Sequence, residues 1–85
     1  MNKYDLLTEL NKLGLILKPY SDEQWTVGSS EFANIMMGFN PRLSEDDYSG
    51  GVTFKVINAG LFTGDQIKGA SKIVNRFLMT PLERR

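Results

Sequence analysis

The sequence predicts a small two-layer α+β domain, with an N-terminal helix and a C-terminal amphipathic helix packed on an antiparallel meander of three or four strands. Three observations support this fold class. Apolar residues recur at helical spacing near both ends of the chain, and they alternate with polar residues in short runs between the ends. Turn residues separate those runs about every 8–12 positions. Because each amphipathic helix must bury its apolar side, one sheet face is expected to receive both helices.

Length and composition exclude several classes of protein. The chain has 85 residues, with 10 basic and 10 acidic side chains, no His and no Cys. This length suits a single domain over residues 1–85, and no apolar run is long enough for a membrane helix. We also expect no signal peptide, since the N-terminal residues lack an apolar run and a small-residue cleavage site. Without Cys and His the chain has no disulfide, no thiolate or imidazole metal ligand and no His-based catalytic triad.

The first helix is predicted over residues 3–13. Asn2 stands at the N-cap position with Asp5 at the third helical position, and Gly14 follows where a C′ glycine is common. The apolar side of this helix consists of leucines at helical spacing: Leu6, Leu7, Leu10 and Leu13.

Two short strands are predicted next, over residues 15–19 and 24–28, and together they form a hairpin. The following run, residues 31–39, fits two elements. A helix would align Phe32, Ile35, Met36 and Phe39, whereas a strand would alternate Ala33, Ile35, Met37 and Phe39. Periodicity alone cannot decide so short an apolar run, and the turn spacing around it favours the strand.

The C-terminal part of the chain predicts one more strand and the second helix. Residues 52–58 alternate as a strand after a polar, turn-rich loop, and Thr63 and Gln66 have the spacing of a capping box. Thr80 and Pro81 end the helix, so residues 81–85 are expected to be a frayed tail. The apolar stripe of the helix consists of Ile67, Ala70, Ile73, Val74, Phe77 and Leu78.

The first candidate site is a row of cations on that helix. Lys68, Lys72 and Arg76 are spaced i, i+4, i+8 and cover an arc of roughly 80° opposite the apolar stripe. Such a row can follow a nucleic-acid backbone or meet an acidic protein, with Ser71 and Asn75 as flanking hydrogen-bond donors. The alternative is an ordinary solvated helix face. Asp65 lies near the arc and weakens the positive field, and no aromatic residue interleaves for stacking.

The second candidate site is an acidic patch formed by Glu45, Asp46 and Asp47. Consecutive carboxylates attract hard cations, but the spacing does not match a calcium-binding loop, and we predict no metal site. An acidic patch can also dock on a basic surface or imitate nucleic acid. Plain solubilising charge in a loop is the default interpretation.

A third candidate is an apolar interaction patch formed by Phe32, Met36 and Ile57. If residues 33–39 form a strand with Ile35 and Met37 pointing inward, Met36 points to the outer sheet face. Ile57 on the neighbouring strand would share that face, with Phe32 at one end. An exposed apolar patch of this kind usually meets a partner.

Together these features predict a small, cytoplasmic, non-enzymatic protein-interaction module that acts by surface binding, with another protein and a second copy of itself as partners. No cofactor, small-molecule substrate or membrane is predicted. The lack of catalytic residue types suits the small accessory proteins of bacteria and phages, although no motif supports that origin. The alternative is a nucleic-acid-binding domain using the cationic row. Charge is uneven, with four basic and eight acidic residues in 1–50 against six and two in 51–85.

Overall fold

The computed structural model describes residues 1–29, 35–42, 60 and 62–85, together with the backbone of 54–56. Both predicted helices and an antiparallel sheet are present, so the predicted α+β fold is confirmed. In chain order the elements are α1 (Lys3–Lys12), β1 (Ile16–Pro19), β2 (Trp25–Gly28), β3 (Ile35–Phe39), β4 (Phe54–Val56), α2 (Gly64–Met79) and a C-terminal 3-10 turn (Leu82–Arg84).

Each strand of the sheet pairs antiparallel with the next strand along the chain, in the order β1-β2-β3-β4. The first three strands form the main part of the sheet. Of the strand predicted over residues 52–58, only the backbone of Phe54–Val56 is described, and it pairs with β3 at the edge. The rest of that predicted strand lies outside the described residues.

Helix α1 begins at the predicted N-cap residue, Asn2, which forms a capping box with Asp5. The Asn2 side chain accepts from the Asp5 amide at 2.9 Å, and the Asp5 carboxylate accepts from the Asn2 amide at 3.1 Å. These two bonds satisfy amide groups that have no partner within the helix. At the other end Gly14 has a φ of +76°, a left-handed conformation that glycine adopts without steric cost. Both local predictions for this helix are therefore confirmed.

Helix α2 begins with a second capping box. The Thr63 hydroxyl accepts from the backbone amide of Gln66 at 3.1 Å. In return, the side-chain oxygen of Gln66 accepts from the backbone amide of Thr63 at 3.0 Å. The Gln66 side-chain NH₂ group also donates to the backbone oxygen of Leu13 at 2.9 Å. One side chain thus caps α2 and connects its first turn to the end of α1. Thr80 is extended before Pro81, which ends the helix as expected.

Strand β3 contains a β-bulge that changes which residues face the core. Val27 of β2 pairs with Met37 and Gly28 pairs with Ile35, so Met36 is an extra residue on β3. Residues 35–39 do form the favoured strand, while 31–34 lie outside the described residues. The strict alternation expected for this strand is wrong, because Met36 and Met37 are both fully buried. The extra residue allows two consecutive side chains to enter the core.

The hydrophobic core forms where the two helices pack on one face of the sheet. Its members form one contiguous cluster, and full burial of a large apolar side chain contributes about 1.5–3 kcal/mol. The buried residues are Leu6, Leu10, Leu15, Leu17, Val27, Met36, Met37, Phe39, Ala70, Ile73, Val74, Phe77 and Leu78.

In the structure the C-terminal residues lie against the domain, whereas the break at Pro81 led us to expect a frayed tail. Leu82–Arg84 form a 3-10 turn, and the Arg85 guanidinium donates to backbone oxygens of the chain. The prediction considered only the break at Pro81. It did not include the carbonyl groups at the end of α2, which lack partners within the helix and attract a cation.

Candidate functional site

The predicted cationic row lies on the solvent side of α2. Lys68, Lys72 and Arg76 are exposed, while the apolar stripe of the helix faces the core. No ion pair involves these three residues within the described part of the chain. We call this surface the basic helix face (Lys68, Lys72 and Arg76), and it extends over about 12 Å of helix. Ser71 adds no donor to it, because its hydroxyl already donates to the Ile67 backbone oxygen at 2.8 Å.

Three aromatic rings pack together at the opposite end of the core from the α1–β1 turn. The ring centroids of Trp25 and Phe39 are 6.1 Å apart at an interplanar angle of 78°. Phe77 lies 5.9 Å from Trp25 and 6.3 Å from Phe39. Such edge-on and tilted pairs contribute about 0.5–1.5 kcal/mol each beyond their buried area. Trp25 is only partly buried, so this cluster reaches the surface.

A surface groove of about 300 Å³ opens beside these rings. It is formed by the start of α1, strand β2, the residues after β3, the end of α2 and the C-terminal turn. We call it the aromatic groove, and its defining residues are Lys3, Trp25, Arg42, Phe77, Leu82 and Arg85.

Cations lie over the aromatic rings in this groove. The Lys3 ammonium is 5.1 Å from the centroid of the Trp25 ring, and the Arg85 guanidinium carbon is 5.5 Å from that of Phe77. At these distances a cation is attracted by the negative face of the ring. Arg42 stands at the rim, with its guanidinium 3.8 Å from the exposed Asp22 carboxylate. The groove therefore combines an apolar, aromatic floor with positive charge.

Arg85 forms one wall of the groove and is held firmly in place. It donates to the Thr80 oxygen at 2.7 Å and the Pro41 oxygen at 2.8 Å, and it also donates to the Leu78 oxygen. These bonds join the tail to the end of α2 and to the residues after β3. Leu82 in the intervening turn remains 48% exposed beside the groove.

A second depression, of about 400 Å³, lies at the open end of the β2–β3 pair. It is lined by polar groups of Ser21, Glu23, Gln24 and Asn40 together with Gly38 and Phe39. Among the described lining residues, Glu23 is the one ionisable side chain. The depression offers a polar surface with little apolar area for a partner.

The other predicted site residues stand as follows. Met36 is fully buried and does not reach the outer sheet face, so its assignment to an exposed apolar patch is wrong. Phe32 and Ile57, the remaining members of that patch, lie outside the described residues, as do all residues of the acidic patch, Glu45, Asp46 and Asp47.

The sequence reasoning missed the aromatic groove. Its residues come from five separate segments, and no spacing pattern connects Lys3, Trp25 and Arg85. The available signal was compositional. The chain has a single Trp, and Trp and Arg are the residue types that carry most binding energy at interfaces.

The sequence matches no protein-family profile, no curated protein and no solved structure. None of the helices in the described residues has the length and apolar character needed to cross a bilayer. In the same part of the chain, no three acidic side chains are grouped closely enough to hold a metal ion.

Proposed function

We propose that this protein is a small non-enzymatic interaction module that binds another protein through the aromatic groove. The observation that supports this proposal is the combination of Trp25, Phe77 and Arg42 with exposed Leu82 around one concave surface. Interface energy concentrates at aromatic and arginine residues near a surface depression. We propose the groove in place of the apolar patch expected from the sequence, because Met36, one of the three residues of that patch, is buried.

The residue inventory supports the non-enzymatic part of the proposal. With neither His nor Cys, a general base near neutral pH would have to be a strongly shifted carboxylate or lysine. We place the protein in the cytoplasm because a chain without Cys suits a reducing compartment. We also assign it to the small accessory proteins of bacteria or phages, an assignment based on size and composition alone.

Site-specific photo-crosslinking tests the interaction function. A benzophenone amino acid replaces Leu82 beside the groove, and a control variant carries it at exposed Asn11 near the end of α1. Irradiation in an extract of the source cells should give a discrete crosslinked product with the Leu82 variant and none with the Asn11 variant. A product of twice the 9.6 kDa chain mass would identify a second copy as the partner. Equal crosslinking from both positions would reject the groove as the binding surface.

Nucleic-acid binding through the basic helix face is the second candidate function. Its support is the exposure of Lys68, Lys72 and Arg76 without ion pairs among the described residues. Three cations in a row along about 12 Å of helix can neutralise up to three phosphates. The face has Asp65 beside it, which makes this candidate weaker than the groove.

Fluorescence anisotropy of labelled DNA and RNA at increasing salt tests this second candidate. Three phosphate contacts on duplex DNA give a log–log salt slope of about −2.7. The triple variant K68E/K72E/R76E should abolish the binding without unfolding the protein, since these side chains lie outside the core. Binding that survives the triple change would exclude the basic helix face, and no binding at low salt would exclude the candidate function.

A further inference from the structure

Among the residues that the structure describes, positive charge dominates the rim of the aromatic groove. Lys3 and Arg42 both line it, while Asp22 is the one carboxylate among the described lining residues. The Asp22 and Arg42 side chains are 88% and 66% exposed, with 3.8 Å between the carboxylate and the guanidinium. Such exposed pairs are weak because water competes with both partners. A carboxylate supplied by a ligand can therefore replace Asp22 at little cost.

The aromatic floor is arranged for side-chain packing and not for base stacking. The Lys3 ammonium lies over the Trp25 ring at 5.1 Å, where a stacked base would otherwise lie. Phe77 packs against the same ring at 5.9 Å. Single-stranded nucleic acids are usually held by open aromatic faces. The groove instead offers the side chain of Leu82 and the accessible part of Trp25, surfaces that fit an apolar side chain.

Of the three described cations that line the groove, Lys3 and Arg42 are available to pair with a ligand, whereas Arg85 has a structural role. Arg85 donates to three backbone oxygens and keeps the groove wall in position. Lys3 lies in the first turn of α1, and Arg42 follows β3, so the two approach the groove from different elements. A ligand with negative groups on both sides of an apolar group would satisfy this arrangement.

We propose that the aromatic groove binds an acidic peptide segment of a partner protein. In this proposal, which rests on the interaction function above, one apolar side chain packs against Leu82 and Trp25 while flanking carboxylates pair with Lys3 and Arg42. Complementary charge at the rim mainly sets partner choice and association rate. The contact of the apolar side chain with Leu82 and Trp25 removes apolar surface from water, and this burial favours binding.

Intrinsic fluorescence provides a direct test, because Trp25 is the only tryptophan in the chain and lies in the groove. The probes are three peptides with a central Leu flanked on both sides by two Glu, two Gln or two Lys residues. They are titrated at low salt against the unchanged protein and the variants Lys3→Glu and Arg42→Glu. Lys12→Glu is the matched control, since it makes the same charge change at an exposed position near the end of α1, outside the groove. Lys3→Glu should fold normally because an acidic side chain is favourable in the first turn of a helix.

We expect the Glu peptide to change the Trp25 emission and to bind about tenfold more tightly than the Gln peptide, with the Lys peptide weaker still. Lys3→Glu and Arg42→Glu should each weaken binding about fivefold, and Lys12→Glu should leave it unchanged. Equal binding of the Glu and Gln peptides would overturn the proposal. So would a larger effect of Lys12→Glu than of Lys3→Glu, or an oligonucleotide that changes the Trp25 emission where the Glu peptide does not.

The failure of this proposal is distinguishable from that of the interaction function. If the Leu82 photo-crosslink forms but the Glu peptide does not bind, the partner is a protein of different chemistry and the acidic-segment proposal is wrong. If neither the crosslink nor peptide binding is observed, the interaction function itself is wrong.

Discussion

Arg85 connects three parts of the chain through one side chain. Its guanidinium donates to the Thr80 and Leu78 oxygens at the end of α2 and to the Pro41 oxygen after β3. The carbonyl groups at a helix C-terminus have no partners within the helix and carry partial negative charge. A planar donor set with a fixed positive charge satisfies several of them at once, which explains why the tail is ordered.

Replacing Arg85 tests this account at the residue scale. We expect Arg85→Ala to lower the free energy of unfolding by about 1–2 kcal/mol, because hydrogen bonds from a charged group to partly buried carbonyls are lost. Arg85→Lys should lower the free energy of unfolding by most of the same amount, because one ammonium group cannot make the hydrogen bonds that the planar guanidinium makes. Urea denaturation measures both. Arg84→Ala is the control, since Arg84 is exposed and should change stability by less than about 0.5 kcal/mol. Equal losses from the two alanine variants would contradict the account.

Met36 shows where residue-level prediction from the sequence failed. Alternation along residues 33–39 places the Met36 and Met37 side chains on opposite faces of the sheet. A single bulge in β3 instead brings both side chains into the core. A bulge depends on how β3 pairs with β2, and the register between two strands leaves no mark in the alternation of one strand. The same failure placed Met36 in the predicted apolar patch, whose other two residues lie outside the described part of the chain.

The elements were far more predictable than single residue positions. Both capping boxes were visible as sequence pairs, Asn2 with Asp5 and Thr63 with Gln66, and both are present in the structure. Caps and amphipathic stripes depend on residues within one or two helical turns, so the local sequence contains the needed information. The contact between the two helices depends on residues far apart in the chain and had no such signal.

That contact depends on Gly69 of α2. A Cβ at this position would lie 2.7 Å from the Leu13 Cδ1 atom, so the glycine lets the end of α1 approach α2 closely. At Gly64, in the first turn of α2, a Cβ would meet no atom within 4 Å. The two glycines of one helix therefore differ mainly in whether a neighbouring helix is present.

Alanine substitution at the two glycines measures this difference. Gly64→Ala should stabilise the protein by about 0.4–1 kcal/mol, since alanine restricts the unfolded chain and fits the space. Gly69→Ala has a similar intrinsic gain, but it must displace the half-exposed Leu13 side chain, so we expect a net change near zero. In a Leu13→Ala background the clash is removed, so Gly69→Ala should stabilise the protein more than it does in the unchanged chain. Thermal unfolding of the two single variants and the double variant measures this difference. If Gly69→Ala stabilises the protein as much as Gly64→Ala does, the contact between a Cβ at position 69 and the Leu13 side chain has no energetic cost.

At the scale of the whole molecule, the candidate site arises only when the chain folds. The aromatic groove gathers Lys3, Trp25, Arg42, Phe77 and Arg85, which lie far apart in sequence. By contrast, the basic helix face repeats every four residues on one helix and could be predicted directly. Local repetition is visible in a sequence, whereas a surface assembled from five segments is defined by tertiary packing. This difference explains why the sequence predicted the weaker candidate and missed the stronger one.

At the scale of the whole molecule, charge is distributed unevenly along the chain. Residues 1–50 carry twice as many acidic as basic side chains, and residues 51–85 carry three times as many basic as acidic ones. Two copies can bring opposite charges together, and a domain of this length has a thin core that gains from further burial. We therefore propose a homodimer in which this attraction contributes to association.

Light scattering across a salt series tests the homodimer. At low ionic strength we expect a mass of twice 9.6 kDa, falling towards 9.6 kDa as salt increases, because the screening length shortens from about 10 Å at 0.1 M to about 3 Å at 1 M. The variant K68E/K72E/R76E should remain monomeric at low salt, since it removes the exposed cations of the basic helix face. A dimer that persists at 1 M salt would show that apolar surfaces hold the copies together. A mass of 9.6 kDa at every salt and protein concentration would reject the homodimer and leave a different protein as the partner.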